Sequence, residues 1–403
     1  MKILNDEERN SVMKPFICTG LLLLLFTATG CWDRKEINDL AFVTGSAFDL
    51  TDDGKIRGTT QISIPGTSPG APRGGSEKEK FFVVSAVGKN SSELILGIQN
   101  KLSRKLYYAH RSVIIIGESL AKHGIEGVID HFSRDPLSRL KTYILVAKGV
   151  EGRKIFQVHY PFEEASAEAI KEMELLGTGL GVTIRDLYMT SSNEGVNPIM
   201  GAIEPSVSSE GMDESKSKLY NLAGSAIFKD FKLVGFLDDK ETSGLLWLTN
   251  KKKMGRIIAD LPEHGGTVGM SISHAERTIT SEIYDDHVKF NILLKGGGSL
   301  VENNTSLDVS QPKYLKIVEK ALEKSLEEQA QACLFKLQKK YKVDSVGFGR
   351  HLFRNHFKQW QSIKNQWDRK YPQAEVTISV ELTLRGSGMS GAPILLKEKE
   401  ITK

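Results

Sequence analysis

Three cysteines in 403 residues are too few to staple a fold. Small exported domains that cannot bury enough apolar surface lean on disulfides. A chain of this length with 40% hydrophobic residues can bury a core without them, and is too apolar for a disordered tail. An excess of one charge is missing too. The 54 basic and 50 acidic side chains leave a formal charge of +4. A nucleic-acid-binding surface needs a stronger basic bias. Catalytic signatures are absent: there is no GxSxG elbow, no HExxH, no P-loop and no CxxC. Beyond residue 30, no run approaches the roughly 18 consecutive apolar residues of a membrane-spanning helix.

What is present begins at the N-terminus. Phe16 to Thr29 reads FICTGLLLLLFTAT. As a helix it would span roughly 21 Å, short of a hydrocarbon core of about 30 Å. That length suits a signal-peptide core, and residues 1–30 are assigned to a signal peptide. The run closes on Ala28-Thr29-Gly30-Cys31, small residues followed by a thiol. Such a site is a lipobox: the sulfur is alkylated by a diacylglyceryl group and the chain is cut before the modified cysteine. Ala28 stands where these sites commonly carry leucine. Cys31 is therefore the predicted lipidation site, and one diacylglyceryl plus one N-acyl group would hold the chain on the membrane without spanning it. Cys18 leaves with the signal. Cys333 is then alone, on an apolar helical stripe with Ala330, Leu334 and Leu337, where a free thiol behaves as a small hydrophobe. The chain from Cys31 onward keeps 51 basic against 47 acidic residues.

Periodicity divides the remainder into three parts. Residues 31–203 read as a mixed α/β domain. Its strands are placed at 39–49, 55–64, 80–87, 112–117 and 143–147, with helices at 91–105, 119–133 and 162–176. The strand–helix–strand spacing of 112–147 predicts a parallel pair. Residues 65–80, rich in Pro, Gly, Ser and charge, read as a mobile loop. Residues 204–284 read as a smaller α+β domain. It opens with a polar linker at 204–218 and a hairpin at 223–237 turning at Lys229-Asp230, followed by a helix at 239–248 and strands near 256–259 and 269–283. Residues 285–403 read as an α+β domain with long helices at 312–342 and 350–367. Val376, Ile378, Val380, Leu382 and Leu384 alternate with polar neighbours, predicting a strand with one wet face in an antiparallel-type sheet. The expected fold class is mixed α/β and α+β, multidomain, with mixed sheets flanked by helices.

Residues able to carry chemistry are few. Ser215 and Lys218 match SxxK, but in a charged loop rather than a desolvated cleft. Gly296 to Ser299 (GGGS) reads as a strand end or bulge, not a phosphate loop. Trp360 and Trp367 lie seven residues apart on one helical face and read as core. Lys251, Lys252 and Lys253 read as a solvated basic loop. Arg104 to Arg111 interleaves basic and aromatic residues where a helix meets a buried strand, and is not read as a nucleic-acid site. The nine histidines are scattered singly. No catalytic residue, metal site or cofactor site is assigned.

Five stretches, in order, resemble one family. They are Cys31 to Asp49 (CWDRKEINDLAFVTGSAFD), Leu106 to Glu118 (LYYAHRSVIIIGE), Ala223 to Lys229 (AGSAIFK), Gly244 to Leu248 (GLLWL) and Val346 to Gly349 (VGFG), the last followed by the Trp360/Trp367 helix. Together they are similar to the Ger(x)C spore germination lipoproteins, the C subunits of nutrient germinant receptors, from Cys31 to about residue 388. The resemblance implies a three-domain, non-catalytic lipoprotein on the outer face of the spore inner membrane. It implies assembly with an A-type and a B-type multi-span subunit, and a part in assembly or signalling of the receptor. A solute-binding lipoprotein of a transporter and a membrane-tethered cell-wall enzyme are the competing readings.

Overall fold

The computed structural model describes residues 36–64, 80–158, 160, 162–177, 179–206, 219–252, 254–284 and 287–385. The signal peptide, Cys31, Ser215, Lys218, Lys253 and all but residue 80 of the expected loop at 65–80 lie outside them. Contacts divide the chain after Leu40. In the first unit, the described residues form a 3-10 turn, Ile37–Asp39, and the first residue of the strand Leu40–Leu50.

The unit from Ala41 onward holds two sheets. The first is built from β1 (Leu40–Leu50), β2 (Ile56–Ser63), β3 (Phe81–Gly88), β4 (Lys105–Tyr107), β5 (Val113–Gly117), β6 (Tyr143–Ala147), β7 (Ile199–Ser206), β8 (Leu219–Lys229) and β9 (Lys232–Leu237). Its order is β3-β2-β1-β5-β6-β7-β8-β9, with β4 paired to β1. The four central strands β1, β5, β6 and β7 run parallel. The outer strands add antiparallel on each side.

Parallel neighbours need crossover connections. These are α1 (Ser91–Gln99), α2 (Glu118–His123), α3 (Glu126–Arg134), a single turn at Gly152–Ile155, α4 (Ser166–Leu175) and α5 (Ile184–Ser191). Helices on both faces explain the unbroken apolar run of β5. Ile114 and Ile116 enter the core with α2 and α3, while Val113 and Ile115 enter a second cluster with Phe156 and Ile170. Each fully buried side chain of this kind contributes about 1.5–3 kcal/mol.

The second sheet has the order β10 (Arg256–Leu261), β11 (Gly266–Tyr284), β12 (His287–Asn303), β13 (Glu375–Leu384). Around it lie α6 (Asp239–Leu248), α7 (Pro312–Phe335), α8 (Phe348–Asn355), α9 (Phe357–Ile363) and a turn at Trp367–Lys370. The segment 204–284 thus contributes strands to both sheets: β8 and β9 complete the first, β10 and β11 open the second.

Four local expectations need correction. The strand at 375–384 lies parallel to β12, not antiparallel to a neighbour. Its alternation reports one wet face but not direction, which the intervening helices set by carrying the chain back to the same end of the sheet. The helix expected at 119–133 is two helices, because Gly124 leaves helical space at φ 131°. The two long C-terminal helices are also interrupted. α7 passes into a π-helical turn at Lys336–Tyr341, and the second expected helix breaks at His356, φ −137° and ψ 51°. The hairpin turn sits one residue later than expected. Asp230 and Phe231 both take positive φ, 47° and 58°, the pattern of a type I′ turn.

Two glycine motifs are explained by close approach. A Cβ on Gly244 of α6 would fall 2.3 Å from the Gln329 carbonyl oxygen of α7. One on Gly296 of β12 would fall 2.6 Å from the ring of Trp247, which is buried between. GLLWL and GGGS are therefore the two sides of one packed layer. Gly244→Val should destabilise the fold by about 1–3 kcal/mol through overpacking. Urea unfolding would measure it, and a loss below about 0.5 kcal/mol would show that the helices part freely.

Candidate functional site

A densely connected polar site among the described residues is built on one carboxylate. Asp344 follows the π-helical turn and precedes α8. Its Oδ1 accepts from the backbone N–H of Gly347 at 2.7 Å and of Phe348 at 3.1 Å. Its Oδ2 accepts from Gly349 N–H at 2.8 Å and from Trp367 Nε1 at 3.1 Å. A carboxylate here suits the unpaired N–H groups and the positive end of α8. Gly347 must be glycine-like because it turns at φ 89°. Burial raises the Asp344 pKa, and the four donors pull it the other way.

The same knot reaches back to the loop before β7. Asn197 N–H donates to the Asp344 carbonyl at 2.7 Å, and Arg350 N–H to the Gly195 carbonyl at 3.1 Å. Gly195, at φ 70°, and Gly349 meet backbone to backbone. A Cβ on either would lie 2.6 Å from backbone atoms of the other. Glu194 accepts from Trp360 Nε1 at 2.9 Å and pairs with Lys364 at 3.4 Å. Trp360 and Trp367 stand edge to face, 5.6 Å apart, and Phe348 packs 4.5 Å from Phe290 of β12. Segment 194–197 is thereby fastened to the C-terminal helices and, through Phe290, to the second sheet. Each carboxylate oxygen of Asp344 already accepts twice. The site's chemistry is that of a joint.

The residues singled out by sequence fall in other places. Trp360 and Trp367 are core, as read, and also donate to Glu194 and Asp344. Cys333 is fully buried and unpaired, with burial pushing its thiol pKa well up, which suits packing rather than attack. Gly296 to Ser299 lies inside β12. Lys252 is half-buried with its pKa lowered by burial, so the expected solvated run is partly inside the protein. Arg104 to Arg111 forms β4 and a turn, and ends in a buried guanidinium. Among the described residues no group of three or more His, Cys, Asp or Glu is placed to hold a metal. Sequence reading missed Asp344, Glu194 and Gly195. The available signal was Asp344 three residues before the Gly347-Phe348-Gly349 turn, a spacing suited to a carboxylate capping a helix.

A second missed carboxylate is Glu174, buried near the end of α4. Its Oε2 accepts from Gly181 N–H at 2.8 Å. Burial raises its pKa to about 7 against the pull of that N–H and of Lys251.

Comparison with known proteins follows the same geometry. Residues 33–205 match the family model described as spore germination protein N-terminal domain. Residues 223–388 match the model described as spore germination B3/GerAC like, C-terminal. The chain belongs to the Ger(x)C family of spore germination proteins. It is 28% identical to spore germination protein KC of Bacillus subtilis over 400 residues, covering 95% of this chain and 98% of that protein. It is 26% identical to spore germination protein B3 of the same organism, over 92% and 97% of the two chains. The crystal structure of the GerBC protein shares the fold, with a TM-score of 0.57 and 22% identity over 88% of this chain and 100% of that one. In this Ger(x)C chain the second match begins at 223, inside β8, which pairs with β7 of the first match. The two matched segments therefore share one sheet as well as the Asp344 joint.

Asp344→Asn replaces two acceptor positions with a donor facing N–H groups, and should cost about 1–3 kcal/mol or more in urea unfolding. Gly349→Ala should cost a similar amount, and wild-type stability in both variants would refute the joint. Glu174 has a folded pKa raised from 4.5 to about 7. Its contribution to stability is complete below about pH 4.5 and lost as pH rises through about 7, a change of roughly 3 kcal/mol. Glu174→Gln should flatten that segment of the stability–pH curve. An unchanged curve would assign the titration elsewhere.

Proposed function

We propose that this protein is the lipid-anchored, non-catalytic C-type subunit of a spore nutrient germinant receptor. The observation that carries the reading is the order of the two family matches. They begin directly behind Cys31 and run to residue 388, along full-length relatives that bear spore germination names. The apolar segment 16–29 ahead of Cys31 supports lipidation there. A diacylglyceryl plus an N-acyl group would give stable attachment where one chain gives only marginal binding. Among the described residues, no helix is long and apolar enough to cross a membrane.

In this reading the protein lies on the outer face of the spore inner membrane with an A-type and a B-type multi-span subunit. It needs no cofactor beyond the lipid. Its work is mechanical. A nutrient-driven displacement at the partners is passed through a body whose two family segments share a sheet and a buried joint.

Cys31→Ala should move the protein from the membrane to the soluble fraction of disrupted spores and sharply reduce the germination response to nutrient. Affinity purification of the tagged wild-type chain from gently solubilised spore membranes should bring two multi-span proteins with it. A fully soluble variant that germinates normally, or a wild-type chain that purifies alone, would remove the receptor-subunit reading.

A further inference from the structure

β10 pairs with β11 only between Gly266 and Ser271. β11 runs on to Tyr284, outruns its neighbour and there presents an edge of its own. The Arg277 N–H turns away from β12 and donates to Asn250 Oδ1 at 3.1 Å. Successive residues of an antiparallel strand point their backbone groups to alternate sides. Ile279, Ser281 and Ile283 therefore also aim N–H and C=O outward. Tyr284 pairs with His287 where the hairpin closes, which gives the same phase. Among the described residues no hydrogen bond takes up these three outward pairs. Such an edge is a template for another strand, and natural edges are blunted by Lys, Pro or a bulge. Residues 279–283 (ITSEI) carry none of these.

The core side of this edge is cationic. Arg277 shares its face with Ala275, Ile279 and Ile283, which pack on the core. Its Nη1 donates to the Leu248 carbonyl, and its Nε is buried without an acceptor. Burial, and then the charge of Arg350 on α8, lowers the Arg277 pKa to about 10. Arg354, exposed and one turn further along α8, acts on Arg350 in the same sense. His351 Nε2 lies 3.1 Å from Ser281 Oγ and ties this helix to the edge. The carboxylate that acts on Arg277 and Arg350 is Asp344, and its oxygens are taken by N–H donors. Three guanidinium charges against one carboxylate leave an excess of two positive charges. On the opposite face of β11, exposed Glu276 and Glu282 stand across from Lys295 and Lys289 of β12, so that side is near neutral.

We propose that the outer edge of β11 at Ile279–Ile283 receives an extended segment of another protein as an added strand, with carboxylates at the alternate positions that face Arg350 and Arg354. Main-chain hydrogen bonds supply the affinity of such an addition, and the alternating side chains its selectivity. The inference stands on the open edge and the cation cluster, and does not rest on the receptor reading.

The full-length protein in detergent tests it, titrated with a labelled peptide of alternating Thr and Glu, and with the same peptide carrying Lys for Glu. The Glu peptide should bind with a Kd on the order of 10–100 μM in fluorescence anisotropy, and more weakly as salt rises. Its binding should slow amide exchange at Ile279, Ser281 and Ile283, which contact with the arginines alone would not do. Ile279→Pro removes an outward N–H and leaves the ladder to β12 intact. It should weaken binding about tenfold with an unchanged unfolding midpoint. Arg354→Glu, at an exposed position, should weaken it by about as much, and keeps the test open should the proline variant fail to fold. Equal binding of the Lys peptide, or no binding of the Glu peptide, would overturn the proposal. Wild-type binding by folded Ile279→Pro without protection of the three amides would also overturn it, and would leave an anion-binding arginine cluster in place of an added strand.

Discussion

The Asp344 carboxylate is the constraint around which the C-terminal region is arranged. A buried charge is tolerated only when its hydrogen-bonding capacity is met. Here that requirement fixes four donors at once, three in the Gly347–Gly349 turn and one on Trp367. Meeting it places the start of α8, the π-helical turn before it and the indole of Trp367 within hydrogen-bonding distance of one point. The neighbours inherit the geometry. Gly349 must pass close enough to touch Gly195, and Trp360 comes near enough to Trp367 to stack edge to face and still reach Glu194.

The second sheet solves a different problem, its two edges. Open strand edges invite pairing with other chains. α7 covers both. Glu323 and Glu319 accept from the N–H groups of Leu382 and Leu384 on β13, each at 2.9 Å, and Ser325 donates to the Ile258 carbonyl on β10 at 2.7 Å. One face of α7 carries Val318, Leu322 and Leu326 into the core. Its flanks carry the polar residues that close the sheet. The Glu319 and Glu323 spacing, one turn apart beside an apolar stripe, looks in sequence like an ordinary solvated face. Only the parallel position of β13 gives it a purpose.

That contrast explains how much was legible. Apolar periodicity disclosed the βαβ unit at 112–147 and the two tryptophans as core, because burial leaves a period in the sequence. It also located the C-terminal helices. Strand direction, the break at His356 and the membership of β8 and β9 in the first sheet left no such period. They depend on partners far along the chain. The joint was illegible for a related reason: Asp344, Glu194 and Gly195 are single residues whose meaning comes from long-range partners. The glycine motifs lay between these cases. GLLWL and VGFG were recognisable by resemblance, while the reason for them, a helix or loop pressed onto another backbone, required coordinates.

Buried polar groups around Asp344 are of two kinds, and only the charged one demands a full set of partners. At Asp344 each oxygen has two donors, so a ligand entering there would have to break more than it makes. Rigidity is the outcome, and a rigid connection passes displacement on instead of absorbing it. Ser345 and Tyr371 nearby hold unpaired hydroxyls, but these are neutral and cost far less to bury than an ion.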